Sequence, residues 1–229
     1  MKIFYCLFIV ICFLINHLPA QDSIYHRAIT WDKTISEFRK EDAKRDSSKR
    51  PILFIGSSSF TRWTNLNSCF PNHEILNRGF GGSHASDIIY YAEQIIFSNK
   101  PAQILIYEGD NDLAGNMTVD EFLTDIKTLV RLIEIRLPGI PIAILSIKYS
   151  PSRHRYRDKY EAANVMLYEF ARSKTHLTFI DVASLMIDAH GNYRKELFAE
   201  DMLHVNETAY QLWAERIRPV LTNNNTQTK

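Results

Sequence analysis

Residues 51–63 read Pro51-Ile52-Leu53-Phe54-Ile55-Gly56-Ser57-Ser58-Ser59-Phe60-Thr61-Arg62-Trp63. Residues 51–55 are apolar throughout and too few for a helix, the pattern of a strand buried on both faces in a parallel sheet. A glycine and three hydroxyls then suit a tight strand-to-helix turn that lifts a side chain clear of the backbone. Four more short runs of this kind fall at 74–77, 103–107, 142–147 and 177–181. Longer amphipathic stretches separate them, at 85–97, 119–137, 156–173 and 207–220. Thr118 with Glu121 has the form of a capping box opening the second stretch, and Pro138-Gly139 supplies its stop. A further amphipathic helix is expected within 30–45, where Trp31, Ile35 and Phe38 share a spacing. Alternating strands and helices predict an α/β fold, a three-layer α/β/α sandwich around a five-stranded parallel sheet. Ligands bind such sheets at the carboxyl ends of the strands, so the residues just after each strand are the ones to read for chemistry.

The ends differ from this body. Among the first twenty residues Lys2 is the only charge, an apolar run covers 3–15, and Asn16-His17-Leu18-Pro19-Ala20 breaks it. That order reads as a secretory signal peptide cleaved after Ala20, with an uncleaved N-terminal anchor as the alternative because Leu18 is not a small residue. The run is shorter than the ~20 apolar residues of a membrane span, so stable insertion after cleavage is not expected. The remaining chain is then exported, periplasmic or secreted. Residues 21–221 are expected to form one domain, and the polar stretch 222–229 a disordered tail. With 27 basic and 26 acidic residues the charge is balanced, which excludes the basic excess of a nucleic-acid binder. Two of the three cysteines lie in the leader, so Cys69 has no disulfide partner and is expected to be a small buried hydrophobe.

Three strand ends and the loop before the last helix carry candidate chemistry. Ser58 sits where a nucleophile would, although Ser57, Ser58 and Ser59 would also serve as helix caps. The G-x-S-x-G elbow of α/β-hydrolases is absent, because Phe60 stands where its second glycine belongs. Asn77-Arg78-Gly79-Phe80-Gly81-Gly82-Ser83-His84 lets backbone approach a ligand, or is a plain glycine turn. A dinucleotide fingerprint fails there, since its third glycine would fall at His84. Glu108-Gly109-Asp110-Asn111-Asp112 offers the Asn111 carboxamide to a developing negative charge. Its carboxylates lack the spacing of a calcium loop. Asp201-Met202-Leu203-His204 places an acid three residues before an imidazole, where it would fix the ring's tautomer and steady its protonated form. A helix-entry carboxylate beside a surface histidine is the plainer reading. Asp188 and His190 form a weaker competing pair, and the other histidines lack a comparable partner. A hydroxyl, glycine amides, a carboxamide and an Asp–His pair on one rim meet the criteria of an acyl-transfer site.

In this order the four segments resemble the blocks of the SGNH (GDSL-like) hydrolases. Gly56-Ser57-Ser58-Ser59 is similar to the first block and puts the nucleophile at Ser58. Gly82 falls on the oxyanion-hole glycine of the second, Asn111 on the G-x-N-D asparagine, and Asp201 and His204 on the D-x-x-H block. The resemblance covers nearly all of the chain after the leader, and it is nearest to small bacterial members. It implies a flavodoxin-like strand order, a Ser58–Asp201–His204 triad, and an oxyanion hole of Ser58, Gly82 and Asn111. It also implies that neither metal nor cofactor is needed. Ser57 departs from the pattern, standing where many members have Asp, outside the triad. The implied activity is hydrolysis of a carboxylic ester, of acetyl or short-chain size, on a sugar or lipid. An acyltransferase with the same triad is the alternative, and a non-catalytic glycan-binding module a remoter one. Arg62, Arg78 and Arg153 are candidates to meet an anionic part of the substrate, and Trp63 to stack on a sugar, although a structural or solvated arginine and a tryptophan packed in the core are the plainer readings.

Overall fold

The computed structural model describes residues 31–222. The expected leader and residues 223–229 of the expected tail lie outside that range, as does His26. Among the described residues five strands and nine α-helices build the sandwich. The strands are β1 (Ile52–Gly56), β2 (Ile75–Asn77), β3 (Gln103–Tyr107), β4 (Ile142–Leu145) and β5 (Leu177–Ile180). The helices are α1 (Asp32–Asp42), α2 (Ser58–Thr61), α3 (Leu66–Cys69), α4 (Ala85–Tyr90), α5 (Ala92–Ile95), α6 (Asp110–Ala114), α7 (Val119–Arg136), α8 (Arg157–Arg172) and α9 (Glu207–Ile217).

The sheet is parallel in the order β2-β1-β3-β4-β5. This is the flavodoxin-like order, and its switch point lies between β1 and β3. Alternation along the strands sorts the core into two layers, because successive side chains leave opposite faces. Leu53, Ile55, Ile104, Ile106, Ile142 and Ile144 meet α1, α4, α5, α7 and α8 on one side. Ile52, Phe54, Leu105, Tyr107, Ala143 and Leu145 meet α2, α3 and α9 on the other. These strand residues are essentially inaccessible to water, and each large one stabilises the fold by roughly 1.5–3 kcal/mol relative to exposure.

Several boundaries differ from the sequence reading for identifiable reasons. The expected helix over 85–97 is broken into α4, α5 and a 3₁₀ turn, Phe97–Asn99. The first break falls at Tyr91 (φ −92°, ψ 8°), whose ring is buried beside Phe80 and whose hydroxyl donates to Asp32 at 2.6 Å. β4 ends at Leu145 rather than 147 because the Asn164 carboxamide takes over as partner. It accepts from the Ile147 N–H at 2.7 Å and donates to the Ile147 carbonyl at 2.9 Å. α7 does open with its capping box, Thr118 Oγ1 accepting from the Glu121 N–H and Glu121 Oε2 from the Thr118 N–H. Thr222, expected in a disordered tail, is anchored instead: its N–H donates to Gln103 Oε1 at 2.9 Å. Cys69 is buried, with no disulfide partner among the described residues.

At the C-terminal end of β1, Gly56 has φ +149°, and a β-carbon there would stand 2.1 Å from the Tyr107 carbonyl oxygen. β1 and β3 can adjoin at this point only because residue 56 has no side chain. Gly56→Ala is therefore expected to cost about 3 kcal/mol or more, combining backbone strain with a clash against a rigid strand. Urea unfolding of wild type and variant measures this. A loss under about 1 kcal/mol would contradict the close approach.

Candidate active site

Each candidate side chain sits just beyond a strand or on the loop that caps the sheet. Ser58 opens α2 directly after β1, with Ser57 as the preceding extended residue (φ −89°, ψ −159°). Ser57 is buried, and its carbonyl accepts from the Phe60 and Thr61 N–H groups, which closes the turn. The loop before α9 folds back on itself. Ala199 donates to the His204 carbonyl at 2.8 Å, and Met202 takes a left-handed conformation (φ +54°). Asp201 Oδ1 accepts from the Leu203 and His204 N–H groups at 3.0 and 2.9 Å. Its second oxygen lies 2.6 Å from His204 Nδ1, and His204 Nε2 lies 3.0 Å from Ser58 Oγ. With Asp201 facing Nδ1, that nitrogen carries the proton, and Nε2 is left as an acceptor for the Ser58 hydroxyl. Burial by itself would raise the Asp201 carboxyl. The His204 side chain and the two backbone N–H groups outweigh it and hold the carboxyl well below the usual range.

The glycine loop is pinned against this pair. Phe80 donates to the Gly56 carbonyl at 2.8 Å, and a β-carbon on Gly81 would lie 3.7 Å from Ser58 Cβ. The Trp31 indole N–H donates to the Gly81 carbonyl at 3.0 Å. In a trans peptide the next N–H points the opposite way, so this bond also fixes the direction of the Gly82 N–H. Gly82 itself has φ +81°, a conformation glycine adopts without penalty.

Asn111 lies in the first turn of α6. Its Nδ2 donates to the Ser83 carbonyl at 3.0 Å, and its Oδ1 accepts from Arg153 Nη2 at 3.0 Å. Asp112 ties the second and third loops together, accepting from the Ala85 N–H at 2.9 Å and the Gly109 N–H at 3.1 Å. Asp110 is buried with Lys148, Arg153 and the Tyr160 hydroxyl around it. Burial would raise its carboxyl, but the two cations prevail and keep it low.

Three sequence expectations need correction. Trp63 is 1% exposed and stacks on Tyr210 with centroids 4.7 Å apart, inside an aromatic cluster with Phe54 and Trp213, so it cannot meet a sugar. Arg78 is 4% exposed, bonded to Asp42 and Glu41 and lying over the Phe38 ring. It ties α1 to the end of β2 and does not face the Ser58–His204 pair. Arg153 directs its fork at Asp110 and Asn111 rather than at a substrate. Arg62 is half-exposed, with Nη1 3.9 Å from Asp201 Oδ2. Asp188 spends its oxygens on its own turn, accepting from the His190 and Asn192 N–H groups. The Trp31 and Arg153 contacts were missed because neither lies in a motif block. The dense charge of Arg153-His154-Arg155-Tyr156-Arg157 was the available signal for the second.

Residues 53–212 match the model of the GDSL-like lipase/acylhydrolase family. The chain belongs to that family. It is accordingly an enzyme of the ester-hydrolase class. Among solved structures it is similar to a protein from Streptococcus pneumonia described by the words platelet activating factor, at TM-score 0.73 and 22% identity, over 87% of this chain and 97% of that one. A GDSL-like lipase from Bacteroides thetaiotaomicron aligns at 0.69 and 17%, over 81% and 95%. An acetylxylan esterase from Geobacillus stearothermophilus aligns at 0.60 and 16%, over 74% and 93%. Among curated proteins none matches. Among the described residues no group of three His, Cys, Asp or Glu side chains is placed to hold a metal, and no helix is long and apolar enough to cross a membrane.

The acids behind this GDSL-like site set a pH dependence of stability. Burial pushes the Asp112 carboxyl up to about 7, and burial with the neighbouring Asp112 charge pushes Glu108 well above its ordinary value. An acid raised on folding binds more protons when folded than unfolded. Stability therefore falls as pH climbs from the unfolded value near 4 towards 7, by up to about 1.4 kcal/mol per pH unit for one group. Asp112→Asn is expected to flatten this descent, whatever it does to absolute stability. Urea titrations between pH 4 and 7 test it, and an unchanged slope would contradict it.

Proposed function

We propose that this GDSL-like enzyme is a serine ester hydrolase working through a Ser58 acyl-enzyme on an acetyl or other short-chain ester of a sugar or lipid. The observation that carries the reading is the 3.0 Å contact between Ser58 Oγ and His204 Nε2, with Asp201 behind the imidazole. His204 takes the hydroxyl proton as Ser58 attacks the carbonyl carbon, and Asp201 steadies the imidazolium that forms. The carbonyl oxygen becomes an oxyanion facing the N–H groups of Ser58 and Gly82 and the Asn111 carboxamide. His204 then protonates the departing alcohol. Water, losing a proton to the same nitrogen, attacks the acyl carbon and frees Ser58 with release of the acid.

Two observations support a small acyl group on a bulky soluble alcohol. The Asp201 side chain is 42% exposed and that of His204 12%, so the reacting groups lie at the surface, where a large alcohol part can stay in solvent. The likeness to an acetylxylan esterase points the same way.

Ser58→Ala is expected to abolish hydrolysis of a nitrophenyl acetate while the unfolding midpoint stays within a few degrees. Asp201→Asn, which presents the wrong tautomer, is expected to slow turnover by about 10³–10⁴. Turnover at the wild-type rate in Ser58→Ala would end the reading. A panel of acetylated xylo-oligosaccharides, lysophospholipids and nitrophenyl esters of graded chain length tests the substrate class. A preference for long chains would overturn the short-acyl part.

A further inference from the structure

Asn111 is fixed by two neighbours of opposite demand. Its Nδ2 donates to the Ser83 carbonyl, and its Oδ1 accepts from Arg153 Nη2. Turning the amide over would set an N–H₂ against a guanidinium and an oxygen against a carbonyl, losing both bonds at once. One of the two Nδ2 protons goes to Ser83, and the second keeps a defined direction. Arg153 is itself held, since Nη1 bonds Asp110 Oδ1 at 2.7 Å and also the Asp110 carbonyl. Asp110 is clamped from behind by Lys148 and by the Tyr160 hydroxyl. The 3₁₀ turn that carries Arg153, Pro151–Tyr156, touches the histidine loop as well: the Ser152 N–H donates to the Met202 carbonyl at 3.1 Å. One turn outside the motif blocks therefore meets both the residue that would hold the oxyanion and the loop that holds the base.

We infer that Arg153 is a positioning residue for ester hydrolysis, locking the Asn111 carboxamide in its donor orientation and polarising it towards the oxyanion. A cation on the amide oxygen draws electron density from nitrogen and strengthens the remaining N–H as a donor, as linked hydrogen bonds do. The gain arises as charge develops on the carbonyl oxygen, so it belongs to kcat more than to KM. The inference rests on reading Asn111 as an oxyanion donor.

The test is steady-state kinetics on a nitrophenyl acetate with Arg153→Met, Arg153→Lys, Asn111→Ala, the Met/Ala double variant and Ser58→Ala, each with its melting temperature. Direct loss of an oxyanion donor costs about 10²–10³, so loss of its positioning residue is expected to cost roughly 10- to 100-fold in kcat, with KM within about threefold. If Arg153 acts through Asn111, the double variant is no slower than Asn111→Ala alone. A role confined to stability would lower the melting temperature and leave kcat of the folded fraction unchanged. Arg153→Met at wild-type kcat, or losses that multiply in the double variant, would overturn the inference. Should Arg153→Met fail to fold, Arg153→Lys decides: it keeps a charge beside Asp110 but cannot fork to both partners, so a severalfold loss is expected and wild-type kcat overturns the proposal. Ser58→Ala turnover at the wild-type rate would sink the hydrolase reading, and an undiminished Asn111→Ala the oxyanion reading. An inactive Ser58→Ala and slow Asn111→Ala beside a fast Arg153→Met would sink this inference alone.

Discussion

A 3.0 Å contact spans 146 positions of chain, from the Ser58 hydroxyl to the His204 imidazole, and the rest of the molecule is arranged so that it can form. Parallel strands place their carboxyl ends along one edge, and the order β2-β1-β3 puts three motif-bearing loops side by side there. The base does not come from a strand end. It arrives on a loop closed by its own backbone bonds and steadied by Asn206, whose side chain caps α9 by accepting from the Ala209 N–H at 3.2 Å. The Tyr210 hydroxyl on α9 donates to the Ser59 carbonyl at 2.8 Å, a second tie between the base's helix and the nucleophile's turn. Burying Trp63, Tyr210 and Trp213 together holds both helices on the same sheet face. That apolar cluster supplies the stiffness a proton transfer needs.

Behind the loops lies a cluster of buried charge. Asp110, Glu108, Asp112, Asp87 and Lys148 are all nearly inaccessible. Water solvates such groups better than protein does, so each must find a partner or give up its charge. Both solutions occur within five residues. Asp110 keeps its charge between Lys148 and Arg153, whereas Glu108 and Asp112 are driven towards the protonated form. The Ser83 hydroxyl reaches Glu108 Oε1 at 2.5 Å, so this carboxyl too is engaged by the glycine loop. The polar layer specifies how three loops sit on one another, which apolar contacts alone would leave loose.

Much of this was legible in the chain. Short apolar runs alternating with amphipathic ones announced the sheet and its layers, because burial on both faces leaves no room for charges. The motif blocks named residues that the structure brings to one rim, since a hydroxyl and a carboxamide just after strands, and an Asp–His pair on the loop before the last helix, each have few other reasons to sit there. What escaped depended on the third dimension. Trp63 and Arg78 are amphipathic side chains whose exposure is decided by how the chain turns just after α2 and β2, and one-dimensional spacing does not carry that. The break at Tyr91 comes from a hydroxyl reaching Asp32 across 59 positions, a tertiary demand overriding helical periodicity. Arg153 was visible as a charge, but its partners lie about 40 positions away in another loop.

The anchoring of Thr222 has a practical bearing. Gln103, where β3 begins, donates to the Val220 carbonyl at 2.9 Å and accepts from the Thr222 N–H. β3 starts at the edge of the sheet opposite its loops, so Thr222 lies at the back of the molecule. A surface or carrier joined on that side would therefore meet the end of the sheet away from the Ser58–His204 pair.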